Sequence, residues 1–242
     1  MLLITMKNLF LLLILLSTAL NAQNNSTFFD KANDFFNKNV QNNKVEYDDI
    51  KKNQTDLNEL VKLISSFDFD SETVSGQKAF LINAYNISVI KGIINRFPVK
   101  SPLDISGFFD KLKYEIAGKK MTLNDIENKM IRYKYKDVRF HFALVCGANG
   151  CPPILNKAYL PATVESQLTS QTRLAVNNPN FTKVNEDSKT VKLSQLFEWY
   201  KDDFLTKGTS YLDFLNKYRT DKIPESFKIS IYTYDWNLNS SK

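Results

Sequence analysis

GQKAFLINAYNISVIKGIINRF, residues 76–97, is the longest helical pattern in the chain. Its apolar residues recur at helical spacing, and Pro98 forbids continuation of the helix beyond it. Two asparagines break the apolar run. Asn83 and Asn86 are three residues apart and therefore share one face. Asparagine is a mediocre helix former, and an unpaired amide among buried aliphatics costs about 1–3 kcal/mol. Either the two amides tie this helix to neighbouring loops, or they form a polar patch facing a pocket.

Upstream, STFFDKANDFFNKNV places Phe28, Phe29, Ala32, Phe35, Phe36 and Val40 on a helical stripe, with Ser26 or Thr27 as the expected N-cap. Leu57, Leu60, Val61 and Ile64 predict a second amphipathic helix. Downstream, LKYEIAGKKMTL alternates at Leu112, Tyr114 and Ile116 before a turn at Gly118-Lys119, the pattern of a hairpin. Thr122 followed by Asp125 has capping-box spacing at the start of a further helix. Val138 to Val145 is apolar enough to be expected as a strand inside a sheet. Thr163 opens a helix, and Val184 to Leu193 reads as a second hairpin through NEDSKT. SQLFEWYKDDF and SYLDFLNKYR are amphipathic helices, and FKISIYTYDW is a closing strand. The pattern predicts an α+β fold: one helix-rich domain around a small, mostly antiparallel sheet.

The chain has 242 residues, 43% of them apolar and 13% aromatic, enough for one sizeable core. Its net charge of +6 is spread over a lysine-rich surface without a long basic run, so nucleic acid is not the expected partner. MKNLFLLLILLSTALNAQ has the order of a secretory signal: a lysine, an apolar run from Leu9 to Leu16, then small and polar residues. Residues 1–22 are therefore expected to be removed, leaving 23–242 as a single exported domain, periplasmic or extracellular. The run is too short to cross a bilayer core of about 30 Å, so an integral membrane protein is not expected.

RFHFALVCGANGCPPIL, residues 139–155, holds the only histidine and both cysteines. On a straight strand, His141 and Cys146 face opposite ways and lie roughly 16 Å apart along the chain. Cys151 can return toward His141 if Gly147 and Gly150 permit a sharp reversal. Four readings stay open: a Cys146–Cys151 disulfide, favoured by export; a thiol nucleophile acting with His141; a zinc site; or two inert buried cysteines. CxxC spacing is absent, so no metal is assigned, and no cofactor motif is present. Asp235, Glu115 and Glu127 are the carboxylates considered as partners for His141.

AFLINAYN (79–86), RFHFALVCGANGCPP (139–153), FEWYKDDF (197–204) and YDWNLN (234–239) occur in an order that resembles the family catalogued as domain of unknown function 547. The likeness covers Gln77 to Phe204 most strongly and extends toward residue 239. Carried over by position, it points to Asn83, Tyr85, Asn86, Arg139, His141 and Cys146 as the matching polar residues. It implies no assigned chemistry. The expectation is a pocket-containing domain that binds a small molecule or peptide through Asn83, Tyr85, Asn86 and Arg139. The alternative is a hydrolase or acyl transferase using His141 with Cys151 or Cys146.

Overall fold

The computed structural model describes residues 25–241, and the expected leader lies outside them. Helix α1 covers residues 25–39 and buries Phe28, Phe29, Ala32, Phe35 and Phe36 along the expected stripe. The chain is already helical at Asn25, so Ser26 and Thr27 lie inside α1 instead of capping it. A short hairpin, β1 (Val40–Gln41) and β2 (Lys44–Val45), leads into α2 (Tyr47–Lys52) and α3 (Thr55–Ser65). Leu57, Leu60 and Ile64 turn inward from α3, as their spacing predicts.

Helix α4, Val74–Arg96, is the axis of the molecule. Thr73 caps it, its hydroxyl accepting from Gly76 N at 3.1 Å. Sixteen of its residues are buried, so the helix is covered on nearly every side. Helices α2 and α3 pack against it, and Phe80 stacks on Phe67 with centroids 3.8 Å apart. Each large apolar side chain buried here contributes about 1.5–3 kcal/mol. The helix stops at Arg96, two residues before Pro98.

Strands β3 (Lys113–Ile116) and β4 (Lys119–Thr122) form the expected hairpin, with its turn one residue early, at Ala117-Gly118. Both turn residues have positive φ, 47° and 73°, which suits a tight hairpin and the glycine. Thr122 then starts α5 (residues 123–135) through reciprocal bonds with Asp125, at 3.0 and 3.1 Å. The middle of α5, Asp125–Arg132, is wound as a π-helix, a form that often marks functional sites. Helix α6 spans Val164–Asn177 and also packs against α4.

The C-terminal third builds a second apolar cluster around Phe142, Phe181, Phe197, Phe204 and Phe214. Strands β5 (Thr182–Asn185) and β6 (Thr190–Ser194) are antiparallel, and β7 (Lys228–Tyr232) joins β6 in parallel, in the order β5-β6-β7. Between β6 and β7 lie the short helices α7 (Leu196–Trp199) and α8 (Lys201–Phe204), then α9 (Tyr211–Tyr218). The fold is a helix-rich α+β domain with small sheets. Among the described residues, no helix is long and apolar enough to cross a membrane.

One expected element is absent. Val138–Phe142 is a 3-10 turn, and the chain beyond it is irregular, so the predicted strand 138–145 does not form. Asp137 starts the turn by accepting from Arg139 N at 3.0 Å. A short apolar run cannot by itself distinguish a strand from buried helix. Here three successive side chains need three environments: Phe140 joins the first cluster, Phe142 the second, and His141 lies between them. A strand offers only two faces.

Candidate functional site

His141, Tyr85 and Cys146 line one cavity of about 320 Å³. The opposite-face geometry expected for His141 and Cys146 is therefore corrected by the turn at 138–142. Tyr85 comes from α4, Glu127 from the π-wound part of α5, and Trp199 and Tyr200 from α7 and the residue after it. Tyr234 and Trp236 come from the C-terminal tail.

That tail is strapped across the glycine-rich loop. Gly150 N donates to Asp235 O and Asn149 N to Asn237 O, both at 2.8 Å, while Asn239 N donates to Gly147 O at 3.0 Å. Gly147 has φ of +85°, and a Cβ on Gly150 would lie 2.9 Å from both Asp235 N and the Tyr234 ring. Gly150 thus lets the tail close down on the cysteine loop, while Gly147, whose Cβ would meet Ile93 and Val89, lets that loop lie against α4. This brings Tyr234 and Trp236 of the tail, Cys146 of the loop and Trp199 of α7 into one wall.

Two buried ionisable groups, His141 and Glu127, are among the residues lining the cavity. His141 is 3% exposed, and its Nε2 donates to Asp203 Oδ2 at 2.7 Å. Asp203 also accepts from Arg132 Nε at 2.8 Å. The bonds from His141 and then Arg132 hold the Asp203 carboxyl well below the usual carboxylate range, against the opposing effect of partial burial. The imidazole stacks on Tyr200 at 3.9 Å between centroids, and the Arg132 guanidinium lies 4.8 Å from the same ring. The second group is Glu127, 8% exposed. It accepts from the Tyr200 hydroxyl and from the Tyr85 hydroxyl, the latter at 3.4 Å. Burial, followed by the neighbouring Glu127 carboxylate, raises the pKa of both phenols, which keeps them as donors. Neither Asp235 nor Glu115 partners His141. Asp203, which was not among the carboxylates considered, does so; its only signal in the sequence was its place in FEWYKDDF.

The cysteines are free thiols with their sulfurs 2.7 Å apart. The Tyr234 hydroxyl reaches both, at 3.2 Å from Cys146 and 3.0 Å from Cys151. Burial, and then the neighbouring Cys151, push the Cys146 thiol up. Burial acts against Cys151 too, yet donors from Cys146 and Tyr234 hold it below the ordinary thiol value. Cys146 borders the aromatic cavity, whereas Cys151 borders a second hollow of about 420 Å³ beside Asn149 and Pro152. Among the described residues, no group of three or more His, Cys, Asp or Glu side chains gathers to hold a metal.

Asn83, Asn86 and Arg139 lie elsewhere. Asn83 donates to Tyr159 O at 2.7 Å and accepts from Tyr159 N at 3.0 Å. Asn86 repeats this with Ala143 O, 3.0 Å, and Val145 N, 2.9 Å. Both amides spend their polar atoms on backbone, which is the loop-tying arrangement. Arg139 is held by Asp137, Glu165 and the Thr169 hydroxyl.

Residues 69–174 match the model of a family described as "Protein of unknown function, DUF547". The chain carries a DUF547 domain. The matched segment supplies α4, the β3-β4 hairpin, α5, the cysteine loop and most of α6. Asp203 and the aromatics Trp199, Tyr200, Tyr234 and Trp236 lie beyond it. No curated protein and no solved structure matches the chain.

Proposed function

We propose that this DUF547 protein binds a small organic molecule in the cavity between α4, α5, α7 and the C-terminal tail. The observation that carries this reading is the lining itself: a wall of aromatic rings around two buried polar groups, His141 and Glu127. A mostly apolar concavity with a few convergent polar atoms is the usual form of a small-ligand site. Trp199 is 44% exposed at the rim, 5.7 Å from Trp236 and 4.9 Å from Tyr234 between centroids. The chain has only two tryptophans, and both line this cavity. Intrinsic tryptophan fluorescence therefore reports on it alone. Screening sugars, amino acids and ammonium compounds is expected to yield a saturable change in emission that Trp199→Ala weakens. No saturable response from any class would dismiss the reading.

The hydrolase alternative has less support. A thiol nucleophile needs a base in hydrogen-bond reach, and the sulfurs are partnered by each other and by Tyr234 instead of by His141. Export through the leader puts the thiol pair in an oxidising compartment, where a Cys146–Cys151 disulfide is the proposed resting state. Treatment of the reduced protein with glutathione disulfide tests this. Cys151 would attack one glutathione sulfur and expel a glutathione thiolate. Cys146, losing its proton, would then displace the second glutathione and close the disulfide. The expected product has no titratable thiol after unfolding and has lost two hydrogen masses. A stable glutathione adduct in its place would show that the pair cannot close.

A further inference from the structure

Resting on the proposed cavity, we infer that its ligand is an organic cation with an apolar-clad head, such as a quaternary or N-methylated ammonium group. Three observations converge on this. Glu127 is the only acidic side chain in the lining, which holds no lysine or arginine. At 8% exposure it accepts from the phenols of Tyr85 and Tyr200, and among the described residues no lysine, arginine or histidine makes a salt bridge to it. Two O–H donors satisfy part of a carboxylate's acceptor capacity and supply no countercharge. On the same helix Lys129 is paired with Asp125, and Arg132, which feels the Glu127 charge at a distance, makes its direct ion pair with Asp203, as does His141.

The cavity that Glu127 lines is also lined by Trp199, Tyr234 and Trp236, in mutual contact at 4.9 to 5.7 Å between centroids. Phe109 extends the wall from Trp236 at 6.1 Å. Aromatic faces attract a cation through their quadrupole, most strongly for tryptophan, and do so best where water is displaced. A compact ammonium such as lysine's resists dehydration, whereas a methylated head presents carbon to the rings. The rings and Glu127 thus favour the same charge. A neutral sugar would stack on the rings but leave the carboxylate without a directly paired cation. An anion would meet Glu127 directly. Salt screens the charges of exposed surface lysines over about 8 Å.

The test compares choline with its neutral isostere 3,3-dimethylbutan-1-ol, and both with tetramethylammonium, on the full-length mature protein by tryptophan fluorescence. Sodium chloride serves as the ionic-strength control. Both cations are expected to bind saturably, with the isostere weaker by about tenfold or more, one such factor being worth about 1.4 kcal/mol. Glu127→Gln should remove most of that preference, while Trp199→Ala weakens both ligands. Circular dichroism establishes that each variant is folded, and if Glu127→Gln does not fold, the ratio of choline to isostere affinity on the unaltered protein carries the test. Equal binding of choline and the isostere would overturn the cation inference and leave the cavity reading intact. Saturation by a sugar or amino acid with no response to either ammonium would do the same. Silence from every class would overturn both.

Discussion

Asn86→Ala is expected to destabilise the domain by about 4 kcal/mol, because two buried backbone groups lose their partners at once and each such loss costs about 1–3 kcal/mol. The Asn86 side chain bridges Val145 N and Ala143 O, both in the segment that follows the 3-10 turn. With no strand there, no neighbouring ladder supplies those bonds. The asparagine does the work of a missing strand by holding an irregular segment against α4. Urea unfolding should show a lower midpoint with little change in slope. Asn86→Asp separates this from simple loss of packing. It keeps an acceptor for Val145 N but sets a second oxygen against Ala143 O, so its stability should also fall by about 2 kcal/mol or more. A loss below about 1 kcal/mol in both variants would mean that other groups or water satisfy this backbone.

The same residues show how far the sequence was legible. Helical stripes, hairpin alternation and capping-box spacing are local signals, and α1, α3, α4, the β3-β4 hairpin and the start of α5 follow them. Asn83 and Asn86 could be identified as obligatory hydrogen-bonders from their helical surroundings. Their partners, Tyr159, Ala143 and Val145, could not, since 57 to 76 residues separate donor from acceptor. The segment 138–145 misled because continuous apolarity records burial without recording backbone shape. His141 and Cys146 were singled out as polar residues in an apolar run, but the strand reading set them apart. The turn reverses that relation.

Charge pairing and aromatic packing around the cavity are tertiary properties, and they were the least legible. Asp203 lies 62 residues from His141, and Tyr200 lies 73 from Glu127. YDWNLN offered two aromatics beside amide and acidic groups, equally consistent with a core plug and a ligand wall. Its position depends on Gly150, whose lack of a side chain lets the tail lie directly on the cysteine loop, and on Gly147, which lets that loop lie against α4. Small residues in one stretch therefore determine what the aromatics of another can line.

Asp203→Asn is expected to cost about 2–3 kcal/mol at neutral pH. This is below the 3–5 kcal/mol of a fully buried broken ion pair, because the Asp203 side chain retains 31% exposure. The variant leaves Arg132 and His141 without their common carboxylate, and the imidazole loses the group that fixes its orientation over Tyr200. The loss should depend on pH in a defined direction. Asp203 has its pKa depressed in the folded protein, so its contribution is fully present above the unfolded value of about 3.9 and fades as pH falls below it toward the folded value. Wild type and variant should therefore differ most at neutral pH and converge in acid. Asp125, lowered to about 2 chiefly by Lys129 and Thr122, titrates alike in both proteins and cancels from the difference. Urea midpoints measured from pH 7 to pH 2 provide the check. A difference that stays constant across that range would mean that Asp203 stabilises through shape instead of charge. The wild-type advantage should also survive moderate salt, because a partly buried pair is screened less than a surface one.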